Sequence, residues 1–168
     1  MTFKQSILTC LRKYFTFSGR ASRSEYWWFF LFCMLGGAIS GAIEGFINGI
    51  TRTPDGPTLI SGAFNLATLI PSLAVGWRRM HDSGRSGLHL FYPLIAIMGL
   101  LVFIGFSGNA QTLMADDPSA AFEGLLGLVL IAALGVIAIS PFLVLWWLTR
   151  PSQPGQNQYG PNPHEVHP

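Results

Sequence analysis

Four long stretches of this chain contain no Lys, Arg, Asp or Glu: Tyr26–Ile43, Gly56–Trp77, Ser86–Ala115 and Gly124–Thr149, of 18, 22, 30 and 26 residues. A hydrocarbon core roughly 30 Å thick is crossed by a helix of about 18 or more apolar residues. Inside lipid the backbone must satisfy its own hydrogen bonds, which leaves the helix as the form for an isolated apolar run. The expected fold is all-α and polytopic, with four transmembrane helices at about 26–46, 57–77, 88–107 and 124–148. These make one membrane domain over 1–150, followed by a polar tail over 151–168. Composition agrees, since 50% of the residues are apolar and only 11% charged, against about a quarter charged in soluble domains. A soluble enzyme, a nucleic-acid binder and a disordered chain are thereby excluded. No activity follows from these numbers.

Orientation comes from the cations, because Lys and Arg are enriched on the cytoplasmic flanks of membrane spans. Lys4, Arg12, Lys13, Arg20 and Arg23 precede the first span, Arg78, Arg79 and Arg85 lie between the second and third, and Arg150 follows the fourth. The other two links hold Arg52 alone, with Asp116, Asp117 and Glu123 in the later one. A nine-to-one split predicts a multi-pass protein of the bacterial inner (plasma) membrane with both termini cytoplasmic. Trp27, Trp28, Trp77, Trp146 and Trp147 all fall at that same level, where indoles favour the headgroup region. Residues 1–25 lack the unbroken apolar core of a cleaved leader, so the first span is expected to act as an uncleaved anchor. Before it, Phe3, Ile7, Leu11 and Tyr14 recur at helical spacing among cations, as in an amphipathic interfacial helix. A helix packed on the ends of the spans fits the same pattern.

Within the spans, Gly37, Gly41, Gly45 and Gly49 form a small-residue stripe suited to close helix packing, against another span or a second copy of the chain. Gly124, Gly127 and Gly135 give a weaker version. Pro71, Pro93 and Pro141 stand at similar depths, and three proline bends there would open a vestibule. Glu44 lies near the outer boundary of the first span, as a snorkelling carboxylate or as a buried proton or ion site. Cys10 and Cys33 read as small apolar residues rather than a disulfide.

The chemistry-bearing residues concentrate on the cation-rich side. Ser18-Gly19-Arg20 precedes the first span and Ser83-Gly84-Arg85 the third. Glycine, serine and arginine before a helix start suit an anion such as a headgroup phosphate, and Arg78 and Arg79 add to that face. Ser22 and Glu25 have the spacing of a capping box. Arginines here also set topology without any ligand. His81-Asp82 has no companion set for a metal or catalytic site, so His81 is expected to be hydrogen-bonded by neighbours or by Glu25. His164, Glu165 and His167 are too few and too loosely tethered for a firm metal site. No catalytic, metal or cofactor residue is assigned.

The run Phe17-Ser18-Gly19-Arg20-Ala21-Ser22-Arg23-Ser24-Glu25-Tyr26-Trp27-Trp28 resembles the opening signature of a bacterial inner-membrane family, domain of unknown function 805. The segment from Arg78 to Gly87 looks like its central arginine–histidine–aspartate loop, with Met80 and Leu88-His89 departing from its usual pattern. Pro154 to Pro163 is similar to its closing segment. The resemblance implies a small integral membrane protein and brings no activity with it. The topology adds that all three segments share one side and should form a single polar cluster, with Asn157 or Tyr159 near Arg78, Arg79, His81 or Asp82. The leading expectation is a non-enzymatic protein that binds anionic lipid headgroups, or a membrane-protein partner or second copy, through Ser18, Gly19, Arg20, Arg23, Glu25, Arg78, Arg79, His81, Asp82, Gly84, Arg85, Asn157 and Tyr159. A small transporter or channel component is the alternative, and a membrane enzyme using His81 and Asp82 a third. Nucleic acid is not an expected partner.

Overall fold

The computed structural model describes residues 1–53, 56, 58–115 and 118–165. Asp116, Asp117 and His167 therefore lie outside the described residues, as does position 57, the expected start of the second span. The described chain is helical, with α1 (Phe3–Arg12), α2 (Arg23–Thr51), α3 (Leu59–Asp82), α4 (Tyr92–Ser107), α5 (Asn109–Leu113) and α6 (Gly124–Thr149). Short 3-10 turns at Gly87–Phe91 and Pro118–Phe122 precede α4 and α6. Four helices have the length and hydropathy to cross a membrane: α2, α3, the run Gly87–Ser107 that contains α4, and α6. Helices α2 and α3 run past the ends of their charge-free stretches, α6 coincides with its own, and α4 is shorter than its stretch. In particular α3 continues through Arg78-Arg79-Met80-His81-Asp82, so what the sequence presents as a loop is the last turn of a helix.

The chain divides into two compact units, one of residues 1–87 with 150–168 and one of residues 88–149. In the first, α1, α2 and α3 pack together around Cys10, Ala21, Phe29 and Val75, with Tyr26, Phe32 and Cys33 against them. Helix α1 opens with a reciprocal capping box, Thr2 with Gln5. Helix α2 opens on half of one: Glu25 N–H donates to Ser22 at 3.2 Å, but the Glu25 side chain turns to Arg78 instead of back to the cap. Arg52, in the left-handed region at φ 54°, closes α2.

Close approach of α2 and α3 occurs at Gly36, where a Cβ would collide with the Phe64 ring. The expected stripe plays a smaller part. A Cβ at Gly37 would come within 3.9 Å of Asn65, whereas at Gly41, Gly45 and Gly49 it would meet nothing within 4 Å. Within this chain α2 and α3 meet one position away from the stripe.

Glu44 has a different role from either expectation. Thr58 offers α3 no side-chain cap, and the Glu44 carboxylate takes its place, accepting from Ile60 N–H at 2.5 Å and from the Ser61 hydroxyl. An acid on one helix thus satisfies the orphan donors and positive dipole end of the next.

Two of the three prolines sit inside helices, Pro71 in α3 and Pro141 in α6. Pro93 stands in the first turn of α4, where its missing N–H leaves nothing unpaired. The expected trio of bends is therefore reduced to two. An interior proline frees the carbonyl four residues earlier, and both freed carbonyls have donors. Tyr14 Oη–H donates to Ala67 O at 2.8 Å, and Ser140 Oγ–H donates to Ile137 O at 2.9 Å. The first couples the segment after α1 to α3, while the second is local.

In the second unit α4 packs on α6. Trp147 of α6 meets the rings of His89 and Tyr92 edge-on at 5.3 and 6.1 Å. Gly127 is the close approach here, lying against the backbone of Phe122. Gly124 begins α6 at φ +63°, and a Cβ added at Gly135 would meet nothing within 4 Å.

Candidate functional site

The polar cluster is built at the C-terminal end of α3. Helical spacing sets its internal order, since residues three and four apart share a face: Arg79 pairs with Asp82 of the same turn. Ser83-Gly84-Arg85 then ends the helix. Gly84, at φ +77°, donates to His81 O at 3.0 Å, and Arg85 N–H reaches back to Met80 O at 3.0 Å. This is the crossed pair of a glycine-terminated helix. The motif that resembles an anion loop leading into the third span thus closes the second. Its counterpart differs: Gly19, at φ +86°, turns the chain so that Arg20 points inward and Ala21 N–H reaches Arg78 O at 3.1 Å.

Arg20 is the centre of the arrangement. Its Nε donates to Asp82 Oδ1 at 2.9 Å, Nη1 to Gly155 O at 2.8 Å and Gly160 O at 3.3 Å, and Nη2 to Gln153 O at 2.5 Å. One planar guanidinium, with donors on a rigid fork, thereby ties the segment before α2 to the end of α3 and to the tail. Asp82 accepts from Arg20, Arg79 and Ser152, the last at 2.5 Å. Its carbonyl takes Gln153 N–H at 2.9 Å. Arg79 also donates to Arg150 O. Asp82 and Arg79 are fully buried, and Arg20 is 7% exposed.

The tail folds into a tight turn in which Asn157 and Gly160 exchange backbone hydrogen bonds at 3.1 and 3.0 Å. Asn157 Nδ2 donates to His81 O at 2.9 Å. Tyr159 lies flat on His81, with centroids 3.7 Å apart and planes 3° apart. Nδ1 of His81 lies 3.1 Å from the Gly19 carbonyl, and the Trp77 ring meets the imidazole edge-on at 6.2 Å. Glu25, one of the two kinds of partner expected for His81, pairs with Arg78 at 2.6 Å. Gly84 lies close under the tail, since a Cβ there would approach Gln153 Oε1 to 2.7 Å.

A second buried group lies beneath, where Arg78 is 1% exposed, Glu25 4% and Cys10 fully buried. Burial, followed by the nearby Glu25 charge, pushes the Cys10 thiol up to about 12, against the smaller opposing effect of Arg78. Among the described residues, Nε and Nη2 of Arg78 have no hydrogen-bond partner.

Of the residues singled out in the sequence, Gly19, Arg20, Glu25, Arg78, Arg79, His81, Asp82, Gly84, Asn157 and Tyr159 come together here. Arg85 is half-buried and donates to Ser83 O at 3.1 Å. Ser18 and Arg23 lie at the surface. The sequence reading missed Ser152 and Gln153 and gave Gly155 and Gly160 of the closing segment no individual role; these residues contribute a hydroxyl or backbone groups that no residue-type pattern marks. Among the described residues no group of three His, Cys, Asp or Glu side chains forms a metal-holding cluster.

This combination of a Gly-Arg turn, an Arg-Arg-x-His-Asp helix end and a returning tail spans almost the whole chain, and so does a family match: the family described as "Protein of unknown function (DUF805)" covers residues 14–161. The chain belongs to the DUF805 family. It is 40% identical over 120 residues to "Inner membrane protein YhaI" of Escherichia coli K12, covering 68% of this chain and 95% of that one. It is 30% identical over 105 residues to "Inner membrane protein YhaH" of the same organism, covering 62% and 85%. No solved structure matches it. With four membrane-length apolar helices and inner membrane relatives, this DUF805 chain is a multi-pass inner membrane protein.

Proposed function

We propose that this protein is a non-enzymatic membrane protein whose Arg-rich, tail-covered end lies in the cytoplasm and engages anionic lipid headgroups. The observation that carries the reading is the way α1 faces. Its Ser6 and Cys10 side is buried against the first unit, while Phe3, Leu8 and Leu11 are exposed, followed by Phe15 at 72% exposure. Lys4, Arg12 and Lys13 are exposed beside them. A helix with outward apolar side chains and flanking cations suits the headgroup boundary, and each cation there adds about 1 kcal/mol toward an anionic leaflet.

The lipid contact moves accordingly. Arg20, Arg78 and Arg79 are held by carboxylates and carbonyls of the chain itself, which leaves Lys4, Arg12 and Lys13 to meet phosphates. Contact of Arg20 with both Asp82 and the tail supports an even number of crossings between them, and the excess of Lys and Arg on this end supports the cytoplasm as its compartment.

The test is the lipid retained by the detergent-extracted protein, read by mass spectrometry. Lys4→Gln with Arg12→Gln and Lys13→Gln is expected to lose phosphatidylglycerol and cardiolipin several-fold at unchanged melting temperature; equal retention overturns the reading. Alkaline phosphatase fused behind Pro168 is expected to be inactive, and fused beside Glu123 active.

A further inference from the structure

Among the described residues, three buried guanidinium groups, Arg20, Arg78 and Arg79, pair with two buried carboxylates, Glu25 and Asp82. Asp82 thus serves two guanidinium groups away from water, where uncompensated charge is costly. Independently, Nε and Nη2 of the 1% exposed Arg78 have no partner among the described residues. What completes the coordination of Arg20 is neutral: the carbonyls of Asp82, Gln153, Gly155 and Gly160. Carbonyl dipoles are weaker partners for a guanidinium than an anion, which gains shorter, charge-assisted and bidentate bonds. The tail that supplies Gln153, Gly155 and Gly160 is lightly held. No apolar side chain from 150–165 is buried, and its attachments are hydrogen bonds and the single His81–Tyr159 stack.

We propose that tail segment 152–160 is a displaceable occupant of an anion site, and that a phosphate-bearing ligand takes its place on Arg20. Lifting the tail frees Nη1 of Arg20 and leaves Nη2 with the longer 3.4 Å contact to Asp82 O, while the Asp82 carboxylate stays behind to hold Arg20 and Arg79 in register. The ligand class is a phosphate monoester or diester, free or as a lipid headgroup. The lipid source rests on the headgroup reading above, while the site itself does not.

Hydrogen exchange on the full-length protein in phosphatidylcholine nanodiscs tests this, read at the amides of Gln153, Asn157 and Gly160. Inorganic phosphate, or phosphatidylglycerol in the disc, is expected to speed their exchange roughly tenfold, the factor of one lost interaction of about 1.4 kcal/mol. A response to both ligands assigns a general phosphate site, and a response to the lipid alone assigns a headgroup site. No response to either, or an equal response to chloride at matched ionic strength, overturns the proposal. In Arg20→Gln the tail should exchange fast and ignore phosphate. Asn157→Ala with Tyr159→Ala keeps Arg20 and loosens the tail, so it should bind phosphate several-fold more tightly; unchanged affinity counts against displacement. The α1 triple variant separates the two readings, because it should lose lipid retention yet keep the tail's response to inorganic phosphate.

Discussion

Tyr159 lies parallel on His81 at a centroid separation of 3.7 Å, joining the tail to the last turn of α3 across nearly half of the chain's length. With Asn157 on the His81 carbonyl, it makes the end of α3 the platform on which the tail folds. Replacing Tyr159 with Ala removes a ring pair of roughly 0.5–1.5 kcal/mol. Protease cleavage within 151–165 is expected to rise several-fold, with little change in the melting temperature of the helices. Tyr159→Phe should behave as wild type.

Asp82 holds two buried cations, and its loss leaves both uncompensated. Asp82→Ala is expected to destabilise the first unit by about 3–5 kcal/mol, as for other broken buried pairs. The measurement is unfolding in a graded detergent mixture. The pair Arg20→Met with Asp82→Leu removes charge from both sides and should recover part of that loss, a double-mutant coupling that a purely local defect would not show.

The Tyr14 hydroxyl answers the carbonyl that Pro71 frees at Ala67. Tyr14→Phe is therefore expected to lower stability by about 0.5–1.5 kcal/mol, the net contribution of one hydrogen bond. In a Pro71→Ala background α3 regains its own donor, so the same change should be close to neutral. Equal effects in both backgrounds would refute the coupling.

Cys10 is buried and its thiol is raised to about 12. Maleimide at pH 8 should leave it unmodified in the folded protein and label it on denaturation. Because the folded value lies above the unfolded one, the unfolded chain releases its proton first. This group's contribution to stability is full below about pH 9 and falls as the pH rises toward 12. Cys10→Ser should flatten that part of the curve.

The helix contact at Gly36 gives a sharp contrast. Gly36→Ala forces a methyl into the Phe64 ring, with an expected loss of about 1–3 kcal/mol that Phe64→Leu should relieve. Gly41→Ala has open space and should be tolerated. Thermal melting of the three variants decides.

Charge-free runs and the absence of competing water determined four membrane-length helices, because a backbone in hydrocarbon has no partners outside its own helix. The Lys and Arg distribution marked one end, and the three motifs marked what gathers there. The sequence also showed Glu25, Glu44 and Tyr14 as residue types, but not whom they serve. Glu25 fits a capping box by spacing yet pairs with Arg78, because a buried guanidinium binds a carboxylate more strongly than one helix N–H does. Glu44 becomes the cap of α3 because Thr58 offers none, and Gly36 rather than Gly41 takes the contact because Phe64 lies opposite it. Ser83-Gly84-Arg85 and Ser18-Gly19-Arg20 read alike as strings, but one closes a helix and the other delivers Arg20 to Asp82. Local rules of length, period and charge are written in the chain. The choice of partner depends on which groups are left unsatisfied once the helices meet, and tertiary packing alone makes that choice.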